Sequence, residues 1–165
     1  MTTVIRTYGD AVLRQKAAPV VRIDAEVKRT CETMVEAMIR ANGVGIAAPQ
    51  IGVSKRIIAL DLDGEFHILI NPTLVEISQG EEEVSEGCLS VPGVNAPVVR
   101  KLRACARGLT LDEKVVDIEG ERLLARVIQH EIDHLNGVLF IDHLSTVRRR
   151  SLLKEYTRMQ REKKG

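Results

Sequence analysis

The pentapeptide His130-Glu131-Ile132-Asp133-His134 constrains this chain more than any other feature. It lies in a stretch, residues 121–136, whose apolar positions Leu124, Val127, Ile128, Ile132 and Leu135 recur at helical spacing. Residues four apart on a helix stand one turn apart on the same face. Both imidazoles can therefore reach one metal ion, with the Glu131 carboxylate beside them. A catalytic metal takes three protein ligands and keeps an open position. Downstream, Asp142, His143 and Glu155 show no recognisable metalloprotease spacing, and His67 and His143 read as surface or core fillers. Upstream, Cys88 stands in Glu86-Gly87-Cys88-Leu89-Ser90-Val91-Pro92, where Gly and Pro favour a fixed, non-helical loop. A lone cysteine is more often inert than a ligand, so the residues alone leave the third ligand open.

The chain has 165 residues, enough for one domain and too few for two comfortable ones. The first segment, to Val21, reads as irregular. A helix is predicted over 24–41, with Asp24 as N-cap and Asn42-Gly43 as its stop. The segment GVGIAAPQIG at 43–52 is too rich in Gly and Pro for a helix interior. Strand-like runs follow at 56–61, 66–70, 74–77, 98–102, 104–110 and 115–118, with a turn at Asn71-Pro72. The acidic run 81–83 reads as a solvated turn. A third helix is predicted over 145–163. Strands so spaced, with little helix between them, suggest a largely antiparallel α+β arrangement. There is no internal repeat, linker or low-complexity stretch.

Charge and composition narrow the function. Lys plus Arg number 24 against 23 Asp plus Glu, a net +1, which disfavours a globally basic nucleic-acid binder. That near-zero value hides an uneven distribution. Residues 147–165 carry +6, from Arg148, Arg149, Arg150, Lys154, Arg158, Arg161, Lys163 and Lys164 against Glu155 and Glu162, so the rest carries −5. Tyr8, Phe66, Phe140 and Tyr156 are too few rings for a base-stacking platform. Three cysteines argue for a reducing compartment, with Cys31 and Cys105 read as packing residues. The N-terminal residues lack the apolar core of a signal peptide, and the apolar runs fall short of the roughly 20 residues that span a bilayer. The expectation is a cytoplasmic protein with no membrane partner.

Three segments in order, GVGIAAPQIG at 43–52, EGCLSVP at 86–92 and QHEIDHLNG at 129–137, resemble the signature motifs of the peptide deformylase family. The likeness extends over most of the chain, including Asn71-Pro72 and GVLFID at 137–142. The resemblance implies an α+β fold of mostly antiparallel sheets around a central metal-binding H-E-x-x-H helix, followed by a C-terminal helix. Residues 1–146 would form the catalytic domain and 147–165 a basic tail of the same domain. It implies a monomeric hydrolase that removes the formyl group of N-formylmethionyl nascent peptides and releases formate. Cys88, His130 and His134 would bind one divalent metal, Fe²⁺ by family habit, with Zn²⁺, Ni²⁺ or Co²⁺ compatible with the same ligands. Glu131 would move the proton between water and the departing amine. Gln50 and the backbone N–H of Leu89 would stabilise the oxyanion. Gly43, Val44 and Gly45 would pair with the extended substrate, and Glu86 and Arg100 would buttress the site if both are buried. Val44, Leu123 and Val127 would line the methionine pocket. Asp133 is expected to orient a ligand histidine, face solvent or hold a backbone turn. The basic tail would meet ribosomal RNA phosphates.

Three positions depart from the family pattern. Asn95 stands where an Arg or aromatic residue is usual, Arg122 where a Gly usually opens the metal helix, and Ala11 where Pro is usual. Asn95 and Arg122 keep in view a non-catalytic deformylase-like protein that binds peptide or ribosome, and the H-E-x-x-H motif itself keeps in view a zincin-type protease that has no need of Cys88.

Overall fold

The structure is a computed structural model that describes residues 2–164. Met1 and Gly165, the outer ends of the expected catalytic domain and tail, lie outside the described residues. In chain order the elements are α1 (Ala25–Arg40), β1 (Gly45–Ala47), β2 (Ile57–Leu62), β3 (Glu65–Ile77), β4 (Glu81–Cys88), β5 (Val91–Lys101), β6 (Arg103–Leu109), β7 (Val115–Glu121), α2 (Leu123–Leu135) and α3 (Thr146–Lys164). Five strands form one antiparallel sheet in the order β1-β2-β3-β6-β7, and β4 pairs with β5 as a separate hairpin. The architecture is the expected α+β arrangement.

Strand alternation sorts the core into two layers. Side chains at successive strand positions point to opposite faces. On β2, Ile58 and Leu60 join Ala125, Ile128, Ile132 and Leu135 of α2. Ile57 and Ala59 join Val27, Cys31, Met34 and Met38 of α1. The sheet therefore lies between the two helices. A third cluster packs Val91, Val94, Ala96 and Val98 of β5 against Phe140, Ile141, Leu152 and Tyr156. This cluster ties α3 to the hairpin that carries Cys88. Ten of the 13 residues of α2 are buried. Burying a large aliphatic side chain contributes about 1.5–3 kcal/mol, so packing, more than intrinsic propensity, holds this helix.

Several local readings need correction. The run 81–83 is no turn; it opens β4, where Glu81, Glu82 and Glu83 pair with Lys101, Arg100 and Val99. The strand expected at 98–102 is β5, which begins earlier, at Val91. Pro92 and Pro97 disguised it, and a two-stranded hairpin tolerates them because every strand in it is an edge. The runs 66–70 and 74–77 are one strand, β3, bulged between Ile70 and Thr73. Asn71 sits in that bulge at φ 53° and exchanges two side-chain hydrogen bonds with the Val20 backbone, of 2.8 and 2.9 Å. The helices match closely, and Asp24 caps α1 by accepting from the Val27 N–H at 3.0 Å. Ala11 opens a single 3-10 turn, Ala11–Arg14, at the position where Pro would be pre-organised.

Arg122 gives one departure a physical meaning. It precedes α2 at φ 55° and ψ −115°, a conformation that suits glycine and strains an L-residue. Its side chain is exposed and reaches Glu82 at 3.2 Å, a surface pair worth at most about 1 kcal/mol. Arg122→Gly should therefore raise stability by about 1 kcal/mol net, read as an upward shift of the denaturation midpoint.

Candidate metal centre

Helix α2 and the β4–β5 hairpin each supply part of one cluster. His130 and His134 lie on successive turns, and their Nε2 atoms are 3.2 Å apart. Cys88, at the end of β4, brings its Sγ to 3.4 Å from His134 Nε2. One ligand atom from each of the three residues falls within 4.8 Å of the others. A tetrahedral ion with legs of about 2.0–2.1 Å to nitrogen and 2.3 Å to sulfur needs donors roughly 3.3–3.6 Å apart, so the spacing fits a bound divalent cation.

The electrostatics fit as well. Burial opposes charge on His130, yet the surrounding Glu131, Cys88 and Glu86 raise its pKa well above the usual histidine range. The position thus favours positive charge. His134 is held neutral, by burial first and then by His130 and Arg100, which suits an imidazole that donates a lone pair. The His130 ring is fixed from behind: its Nδ1 faces Glu86 Oε1 at 2.5 Å. A carboxylate accepts, so Nδ1 keeps its proton, and Nε2, the nitrogen that faces the cluster, is the one that would give up a proton to bind a cation.

Glu86 and Arg100 are both buried, at 7% and 5% exposure, which is the condition their buttressing role required. Burial raises the Glu86 pKa, but the hydrogen bonds and charges of His130 and Arg100 outweigh it and hold the carboxyl below its ordinary range. Arg100 donates to Glu86 Oε1 at 2.7 Å and to Asp133 Oδ2 at 2.6 Å. Asp133 thus orients Arg100 and no ligand histidine, while its carbonyl holds the turn after α2 through the N–H groups of Asn136 and Val138. His143 is no filler, since its Nε2 lies 2.8 Å from Asp133 Oδ2. His67 is a surface residue, 3.6 Å from Glu65.

A cavity of about 610 Å³ opens over the cluster. Cys88, His130, Glu131, Gln50 and Leu89 line it, together with Gly43, Val44, Gly45, Leu123 and Val127. Glu86 also reaches it. Arg100 faces the charged network behind it. Glu131 is 4% exposed, and its Oε1 has no partner among the described residues. Burial pushes its pKa up to about 7, against the pull of His130 and with the Glu86 charge adding to the rise. That value suits a group that takes and returns a proton near neutrality. Gly45 makes room for it: a Cβ there would stand 2.7 Å from Glu131 Oε2 and from Val127 Cγ1.

The Gln50 amide has a defined orientation. Its Oε1 accepts from the Ala47 N–H at 2.9 Å, so Nε2 turns toward Ser90 Oγ at 3.2 Å and Cys88 Sγ at 3.8 Å. Sequence reasoning missed Ser90, whose N–H also meets Cys88 Sγ at 3.4 Å. It missed the N-terminal segment too, where the Arg6 and Tyr8 N–H groups bond the carbonyls of Gln50 and Ser90, each at 2.7 Å. Arg126 is the third omission, a buried arginine one turn before His130. Nothing local distinguishes these residues, although an arginine on the same helical stripe as both histidines was a readable signal. Asn95 is exposed on the cavity rim. Burial, with help from Glu32, raises the Cys31 thiol to about 11, consistent with its packing role. Cys105 is raised too, by burial first and then by Asp117 and Glu119.

A thiol and two imidazoles converging beneath a cavity, with a buried glutamate beside them, define a metal-dependent hydrolase of the H-E-x-x-H kind. The model of the polypeptide deformylase family matches residues 2–150. The peptide deformylase of Halothermothrix orenii is 51% identical over 140 residues, covering 84% of this chain and 90% of that protein. The peptide deformylase of Natranaerobius thermophilus is 46% identical over 144 residues, covering 87% and 92%. The crystal structure of a peptide deformylase from Legionella pneumophila superposes with a TM-score of 0.94 at 40% identity, covering 99% of this chain and 98% of that one. That of a Synechococcus elongatus peptide deformylase in complex with actinonin gives 0.87 at 38% identity, covering 92% and 85%. The chain belongs to the peptide deformylase family. This membership favours the deformylase reading over the zincin protease and the non-catalytic binder.

Proposed function

We propose that the chain hydrolyses the formyl amide at the N-terminus of N-formylmethionyl nascent peptides, releasing formate and a free amino group. Family membership together with the Cys88–His130–His134 cluster beneath the cavity carries this reading. Those three residues would hold one divalent cation. Fe²⁺ is the favoured ion by family resemblance, and Zn²⁺, Ni²⁺ or Co²⁺ suit the same donors. The bound cation would supply Lewis acidity toward water and the formyl carbonyl.

The chain's own residues do the rest. Glu131 takes a proton from the attacking water at its free carboxylate oxygen and passes it to the amine as the C–N bond breaks. Gln50 Nε2, fixed by the Ala47 bond, and the Leu89 N–H donate to the oxygen that gains charge. Gly43, Val44 and Gly45 present strand-edge backbone to an extended peptide, and Glu86 with Arg100 buttresses the substrate site from behind. Val44, Leu123 and Val127 form the apolar wall for the methionine side chain. Asn95 on the cavity rim stands where the family usually carries an Arg or aromatic residue, and this shorter side chain alters the grip on substrate.

Residues 1–146 serve as the catalytic domain and 147–165 as a basic tail of the same domain. Helix α3 buries Leu152 and Tyr156 and leaves its basic residues largely outward, which supports contact with ribosomal RNA phosphates. Among the described residues, no helix is long and apolar enough to cross a membrane. A cytoplasmic monomer fits the substrate.

Two experiments check this. Formate release from a formyl-Met peptide, assayed anaerobically with added Fe²⁺, is expected from wild type. It should fall at least 100-fold in Glu131→Ala, as expected when a general acid–base group is removed; no formate from wild type would reject the activity. Replacing the exposed Arg148, Arg150, Lys154, Arg158 and Arg161 by Gln, which spares the buried Leu152 and Tyr156, should sharply weaken co-sedimentation with ribosomes at low salt and leave formate release intact, whereas unchanged co-sedimentation would reject the tail's role.

A further inference from the structure

The Glu86 carboxylate is saturated. Its Oε1 accepts from His130 Nδ1 at 2.5 Å and from Arg100 Nη2 at 2.7 Å. Its Oε2 accepts from Arg100 Nε at 3.1 Å and from Arg126 Nη1 at 2.8 Å. Four donors fill the roughly four lone-pair sites a carboxylate offers. Arg126 is itself buried, at 7% exposure. It donates further to Val98 O at 2.8 Å on β5 and to Glu82 O at 2.7 Å on β4. One guanidinium thus binds the hairpin that ends in Cys88, the carboxylate that orients His130, and the helix that carries both histidines. Arg126, His130 and His134 are spaced four apart and occupy one stripe of α2.

We propose that Arg126 is a positioning residue that acts through Glu86 to aim the His130 imidazole at the metal cluster. The proposal rests on the reading that Cys88, His130 and His134 bind a metal. Arg100 alone grips both oxygens of Glu86 but leaves one site on Oε2 empty, and the carboxylate can then pivot in the plane of that pair. The Arg126 bond closes this freedom, and the two carbonyl bonds keep the guanidinium from following Glu86 if it moves. The substitution that tests this leaves a buried acceptor short of a donor, which costs stability whatever its effect on the site. The decisive readout is therefore metal affinity of the folded protein.

Zn²⁺ affinity, measured by competition with a chromophoric chelator on folded protein, is expected to fall about 10–100-fold in Arg126→Met. Arg126→Lys keeps the charge but cannot span Glu86 and both carbonyls, and it should fall severalfold, less than Met. In a Glu86→Gln background, Arg126→Met should lower affinity little further, because both substitutions remove the same constraint. A folded Arg126→Met protein with wild-type Zn²⁺ affinity would overturn the proposal, as would fully additive losses in the double variant. Should Arg126→Met fail to fold, an unchanged affinity in Arg126→Lys overturns it equally. Absence of Zn²⁺ binding by wild type would instead remove the metal reading on which the proposal stands.

Discussion

One buried carboxylate joins the two halves of this site. Glu86 comes from a hairpin outside the main sheet, and its partners Arg126 and His130 come from the helix that crosses that sheet. Desolvating a lone carboxylate costs several kcal/mol, and only close opposite charges and filled hydrogen-bond sites offset that cost. Arg100 from the neighbouring strand supplies two of the four bonds, so the ion is compensated on every side. Removing any donor would leave charge stranded where water does not reach. The arrangement therefore fixes the distance between Cys88 and the two histidines more firmly than apolar packing would.

The layers around it follow from that requirement. Helix α2 must bury both its apolar face and its histidines, which is why it lies between the sheet and the hairpin. The sheet supplies one wall through Ile58, Leu60 and Leu69, and the hairpin the other through its buried ions. Glu131, next to His130 in sequence, is turned by the helical pitch toward the cavity and Gly45. The N-terminal segment reads only as irregular in sequence, yet its Arg6 and Tyr8 N–H groups pin the Gln50 and Ser90 carbonyls and so steady the loop over the cluster.

What the sequence revealed depended on how local the signal was. The H-E-x-x-H helix was legible because its ligand spacing and its apolar period coincide within one element. The caps at Asp24 and the stop at Asn42 were legible for the same reason. Cys88 reads as a candidate ligand only through the resemblance of its flanking motif, since a single thiol carries no spacing. The first half of β5 stayed hidden because Pro92 and Pro97 argue against a central strand and nothing local reveals a hairpin with free edges. Asn71-Pro72 looked like a turn, and the bulge that absorbs it needs Val20, 51 residues earlier in the chain. Arg126 and His143 went unread because their partners are far away in sequence. Arg122 was visible as a departure, and its positive φ explains why glycine is the usual occupant there.

The proposed chemistry depends on Cys88, His130 and His134 sharing one ion. Anaerobic titration with Co²⁺, followed by absorption, tests this directly, because a thiolate bound to cobalt gives a ligand-to-metal charge-transfer band and tetrahedral sites give intense visible bands. Wild type should saturate at about one Co²⁺ per chain with both features, while Cys88→Ser loses the charge-transfer band and Cys31→Ser and Cys105→Ser keep it. A charge-transfer band that survives in Cys88→Ser, or that disappears in Cys105→Ser, would contradict the assigned centre.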